Sequence, residues 1–148
     1  MKVFLDTNVI MEFYGHRTFF DNAKKILSAG IEREIDNNIS LGSLYTLTYL
    51  FDREMKNQDV HEPEKTKLVR SFLNAVTDTV NLITINKTNI KAAINNEAFH
   101  DIEDSYQYQC ATANDCDVLV TINLKDFKDA EGNIEVMSPK DFCDKYLE

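Results

Sequence analysis

The run Asp117-Val118-Leu119-Val120-Thr121 is apolar at successive positions rather than alternate ones. A strand of that composition is buried on both faces, which is the condition of a parallel sheet covered by helices on each side. Val3-Phe4-Leu5 has the same character and stops at Asp6-Thr7-Asn8, residues that favour turns and helix caps. Asn81 to Ile85 and Ile134 to Met137 also have strand composition, and a short strand is expected near Ile39. Between these runs lie stripes at helical spacing. One comprises Phe19, Phe20, Ala23, Ile26 and Leu27, with Thr18 as its cap and Gly30 at its end. Others comprise Leu44, Leu47, Phe51 and Met55, then Leu68, Val69, Phe72, Leu73 and Val76 after a loop ending at Pro63, then Ile90, Ala93, Ile94 and Ala98. A further helix opens at His100-Asp101-Ile102-Glu103-Asp104, and Ser138-Pro139 opens the last. Strands alternating with helices predict an α/β fold, a three-layer α/β/α sandwich with a mainly parallel central sheet.

The 148 residues, 43% hydrophobic and 28% charged, suit one domain over 1–148. Two Pro and four Gly argue against linkers and low-complexity tails. The net charge of −9 disfavours long-range attraction to nucleic acid or anionic membrane, so any affinity for nucleic acid must be local, modest and salt-sensitive. Lys125 is the cation best placed to meet a phosphate. Three cysteines without a CxxC pair point to a reducing, cytoplasmic setting. No stretch approaches the roughly 20 apolar residues of a membrane span.

In open parallel sheets, ligands gather beyond the carboxyl ends of the strands, where strand order reverses. Asp6 follows the first strand and Asn123 to Asp126 follow the late one, while Asp101, Glu103 and Asp104 lie at a helix start. Each taken singly suits a cap or turn. Brought together, these carboxylates would raise one another's pKa values and need a hard cation to stay ionised. Mg²⁺ or Mn²⁺ fits oxygen ligands of this kind and can activate water against a phosphodiester.

Three segments carry a resemblance: Val3-Phe4-Leu5-Asp6-Thr7-Asn8-Val9-Ile10, Asp101-Ile102-Glu103-Asp104 before a helix containing Ala111, and Val120-Thr121-Ile122-Asn123-Leu124-Lys125-Asp126-Phe127. They resemble the PIN domain family of metal-dependent ribonucleases, which includes the toxins of VapC-type toxin–antitoxin pairs. The resemblance runs in order along nearly the whole chain. It implies hydrolysis of RNA phosphodiesters with Mg²⁺ or Mn²⁺, with Asp6, Asp104 and Asp126 as catalytic metal ligands. Asn8, Thr121, Asn123, Lys125, Asp101 and Glu103 would support the site or the substrate. An antitoxin protein and a second copy of the chain are the partners it implies. Two positions depart from the pattern: Thr46 stands near a position where many members carry Glu, and Asn123 where an Asp is frequent. Glu54 is too far along its helix to substitute. These departures support an alternative, a catalytically weakened module of the same fold that binds RNA or a protein. A phosphatase using Asp6 as nucleophile ranks last, because Asn8 occupies the place of its usual second Asp.

Overall fold

A computed structural model describes residues 1–130, 132 and 134–147. The strands are β1 (Lys2–Leu5), β2 (Asp36–Ser40), β3 (Asn81–Ile83), β4 (Val118–Val120) and β5 (Glu135–Met137). They form one sheet in the order β3-β2-β1-β4-β5, every neighbouring pair parallel. The helices among the described residues are α1 (Thr7–Tyr14), α2 (Phe20–Ile31), α3 (Leu41–Asn57), α4 (Glu64–Thr79), α5 (Lys87–Ile94), α6 (Ile102–Ala113) and α7 (Pro139–Phe142).

The strands with successive apolar residues occupy the centre of the sheet, as double burial requires. Val3, Leu5, Val118 and Val120 point to one face and pack with Ile10, Ile26, Leu47, Phe51 and Phe142. Phe4 and Leu119 point to the other and meet Phe99, Tyr108, Ala111 and Phe127. Side chains alternate across a strand, so these two sets make the two interfaces of a three-layer α/β/α sandwich. The chain lays β2 and β3 to one side of β1, then returns to place β4 on the other. The reversal point is therefore the crevice beyond the carboxyl ends of β1 and β4, where Asp6 and Thr121 emerge.

Local differences from the sequence expectations have identifiable causes. The turn-forming Asp6-Thr7-Asn8 predicts strand, then loop, then helix, but no loop intervenes, because Asp6 ends β1 and caps α1 at once, accepting the Thr7 N–H at 2.8 Å. Thr18 does not cap α2; the buried Glu12 reaches forward and accepts the Phe19 N–H at 3.0 Å. β3 ends at Ile83 rather than Ile85.

Gly30 lies in the last turn of α2 rather than beyond it, since its lack of a side chain serves packing. A Cβ there would stand 2.4 Å from Asn37 Nδ2. That buried amide cannot swing away without giving up its 2.9 Å bond to the Ile26 carbonyl. Gly30→Ala is accordingly expected to cost about 1–3 kcal/mol, seen as a melting temperature lower by several degrees in thermal denaturation.

Candidate active site

Asp6 is only 5% exposed, yet its carboxylate is well supplied with donors. Oδ1 accepts from Thr7 N–H at 2.8 Å and from Gln107 Nε2 at 3.2 Å. Oδ2 accepts from Thr121 Oγ1 at 2.8 Å and from Asn8 Nδ2 at 3.2 Å. Burial pushes the Asp6 carboxyl above its ordinary value; the bonds from Gln107, Thr121 and Thr7 offset this in part, and the nearby Glu103 charge adds to the rise.

Asn8 and Thr121 join the ends of β1 and β4. Asn8 Nδ2 also donates to Thr121 Oγ1 at 3.3 Å, and its Oδ1 accepts the Ile122 N–H at 3.3 Å. Fully buried Thr121 accepts the Asn123 N–H at 3.1 Å, which starts the turn of Leu124–Asp126. Asn123, Lys125 and Asp126 are exposed at this turn, and the charge of Asp126 is felt by Asp104.

The third part comes from the start of α6. Asp101 caps the helix, its Oδ1 accepting the Glu103 N–H at 2.9 Å and the Asp104 N–H at 3.3 Å. Asp104 is half-buried, and its carboxyl is pushed up to about 7 by burial and then by the negative charges of Asp6, Asp101, Asp126 and Glu103. Residues separated by up to 120 positions thus share one electrostatic environment. Among the described residues, no three His, Cys, Asp or Glu side chains converge tightly enough to hold a metal ion by themselves. Mg²⁺ commonly needs only one or two carboxylates, with waters and substrate phosphate completing its shell. Two mutually repelling carboxylates with hard oxygen donors are a donor set that fits such an ion.

Thr46 and Glu103 meet directly: the hydroxyl of α3 donates to Glu103 Oε1 at 3.1 Å. A carboxylate thus stands against Thr46, delivered by α6. Glu54 is two turns further along α3, where it accepts from Gln58 Nε2 at 3.1 Å and takes no part in this environment.

Sequence reasoning missed Gln107, Ser40 and Ser43. Buried Gln107 donates from Nε2 to Asp6 Oδ1, to Thr7 Oγ1 at 3.3 Å and to Ser43 Oγ at 2.8 Å, while its Oε1 accepts from Ser40 Oγ at 2.6 Å. It therefore ties α6 to the ends of β1 and β2. The available signal was spacing: a residue three after Asp104 on a helix shares its face. Ser40 caps α3, accepting the Ser43 N–H at 3.0 Å.

Carboxylates that share one environment at the switch point of an all-parallel five-stranded sheet define an α/β protein with an acidic candidate site. The sequence profile of the PIN domain matches residues 2–125, and the chain belongs to the PIN domain family. No curated protein sequence matches it. Among solved structures it is similar to VapBC2 from Rickettsia felis bound to a DNA fragment from their promoter, with a TM-score of 0.67 and 18% identity over 93% of this chain and 98% of that one. A toxin–antitoxin complex from Klebsiella pneumoniae is also similar, with a TM-score of 0.60 and 23% identity over 93% of this chain and 97% of that one. At these identities the likeness is one of fold.

Proposed function

We propose that the chain is a Mg²⁺- or Mn²⁺-dependent endoribonuclease that hydrolyses RNA phosphodiester bonds, acting in the cytoplasm as the toxin of a toxin–antitoxin pair. The observation that carries this reading is the carboxyl of Asp104, raised to about 7 beside buried Asp6 at the switch point of a PIN fold. Membership of the family and the similarity to toxin–antitoxin structures support the biological role. Its partners on this reading are RNA, an antitoxin protein and a second copy of the chain. No helix among the described residues is long and apolar enough to cross a membrane.

Asp6 and Asp104 are the residues that would hold the ion, with Asp126 joining from the rim. When bound, the ion supplies positive charge for the phosphodiester and acidifies the attacking water. The chain's own residues do the rest. Thr121, Asn8 and Gln107 fix the orientation of the Asp6 carboxylate, as supporting bonds do at metal sites, and an ion bound there would take the place of one of its four donors. Asn123 and Lys125, both exposed just after β4, would contact phosphate oxygens on this reading. Asp101 holds the start of α6, and with it Asp104, in register with the crevice.

Mn²⁺ titration tests the site without relying on turnover. At about a hundred times its Kd the ion is expected to stabilise the protein by about 2.7 kcal/mol, several degrees in melting temperature at pH 8. Glu103→Gln should weaken Mn²⁺ about tenfold or more, as loss of a supporting charge does, and Thr46→Val should do so by less. Equal Mn²⁺ affinity in wild type and Glu103→Gln would remove Glu103 from the site. A second reading, a module that binds RNA or protein without efficient cleavage, is favoured by the neutral Thr46 and Asn123. It predicts RNA binding by folded, metal-loaded protein with no cleavage.

A further inference from the structure

Beside the acidic crevice a cleft of about 580 Å³ opens between α3, α5 and α6, beyond the carboxyl ends of β2 and β3. Its walls are mainly apolar and include Tyr45 of α3, Tyr106 of α6, and Ile85 and Ile90. Thr46, Glu103 and Gln107 line it too, so cleft and crevice share a wall. The volume lies within the roughly 300–1,000 Å³ of small-ligand pockets.

Tyr45 is 70% exposed and Tyr49, one turn on, is 63% exposed. Arg53 follows at the same spacing, its guanidinium 5.5 Å from the centre of the Tyr49 ring. Residues four apart on a helix share a face, so Tyr45, Tyr49 and Arg53 form a stripe roughly 12 Å long that begins at the cleft. Nothing in the fold requires these rings outside; the apolar stripe of α3 is served by Leu47, Phe51 and Met55.

We propose that this cleft is a base-binding subsite for single-stranded RNA: the nucleobase next to the scissile phosphate leaves its stack and lodges between Tyr45 and Tyr106, while the following base stacks on Tyr49 and its phosphate meets Arg53. This rests on the nuclease reading above and specifies its substrate. The occupant follows from continuity. A strand whose phosphate lies at Asp6 and Asp104 has Thr46 and Glu103 beside it, and the recess beyond them is lined mainly by aromatic and apolar side chains. Aromatic faces accept any base, whereas paired bases stay inside the helix, so the cleft selects unpaired RNA. Arg53 supplies local positive charge on a chain whose net charge is −9.

The test uses a fluorescein-labelled 12-nucleotide RNA, as single strand and as duplex, with binding read by anisotropy in EDTA and cleavage read in Mn²⁺. Wild type should bind the single strand at least about tenfold more tightly than the duplex. Tyr45→Ala and Tyr106→Leu should each weaken single-strand binding about tenfold, the effect expected for losing one stacked base. Their Mn²⁺-induced melting shift should match wild type. An abasic residue at one position should cost wild type about as much, and cost Tyr45→Ala almost nothing. Unchanged single-strand binding in both variants, with RNA still cleaved, would overturn the subsite and leave the nuclease reading standing. Wild type that neither binds nor cleaves RNA would overturn both. Unchanged RNA binding together with dissociation of a dimer in Tyr45→Ala, seen by light scattering, would assign the surface to a second copy and overturn the proposal.

Discussion

Asp104→Asn is expected to abolish Mn²⁺-dependent RNA cleavage, by about a thousandfold or more, and at the same time to raise the melting temperature of the metal-free protein. Loss of activity follows if Asp104 holds the ion that stabilises charge in the transition state. The gain in stability follows from burial and from the charges of Asp6, Asp101, Asp126 and Glu103, which push the native carboxyl up to about 7 from an ordinary 3.8. Between about pH 4 and pH 7 the folded protein keeps a proton that the unfolded chain has released, so stability falls as pH rises through that window. Above it the whole penalty is present. Discounted for the solvent that reaches a half-buried group, it amounts to about 1–2 kcal/mol, or roughly 3–6 °C. Asn carries no charge and escapes the penalty. Melting curves at pH 5 and pH 8 in EDTA should show the variant gaining at both, and more than twice as much at the higher pH. Mn²⁺ should stabilise wild type at pH 8 and leave the variant unmoved. A variant less stable than wild type at pH 8 would show that Asp104 makes a structural bond.

Gln107→Leu is expected to cost about 2–4 kcal/mol and to weaken Mn²⁺ about ten- to a hundredfold. Leu keeps the volume and removes every bond through which the side chain joins Asp6, Thr7, Ser40 and Ser43. Asp6 loses the hydrogen bond that most lowers its pKa, so its carboxyl rises further and the ion must compete with a proton to higher pH. The diagnostic readout is therefore the pH profile of Mn²⁺ affinity, displaced towards alkaline pH in the variant. Structural loosening alone would weaken binding equally at every pH. Gln107→Glu offers a contrast, since it keeps the acceptor for Ser40 but sets a second carboxylate against Asp6; its defect should grow as pH rises.

The fold was legible because its strongest signals were local. Val118-Leu119-Val120 and Val3-Phe4-Leu5 carry double burial in their composition, and the helical stripes of α3 and α4 carry a period of 3.6. Boundaries were less legible where a distant residue decides them: Glu12 takes the capping place expected of Thr18, and Gly30 is shaped by Asn37 from the next strand. At the site, the acidic residues were visible from their positions after strands and at a helix start. Their partners were not. Thr46 reads as a missing carboxylate until Glu103 is seen beside it, 57 positions away. Gln107 shows no sign of its role in the sequence, because its partners lie at the ends of β1 and β2, far along the chain. The cleft between α3 and α6 depends on how three helices pack, which no linear pattern records.

If Asp6 and Asp104 form a metal-dependent centre for cutting RNA, both carboxylates and the ion are needed for cleavage. The protein is incubated with a mixed-sequence, partly structured RNA in Mn²⁺, in Mg²⁺ and in EDTA, beside Asp6→Asn and Asp104→Asn. Internal cleavage by wild type in either metal, absent in EDTA and in both folded variants, is the predicted result. Cleavage that persists in EDTA or in either variant would contradict the claim, as would intact RNA after incubation with folded, metal-loaded wild type.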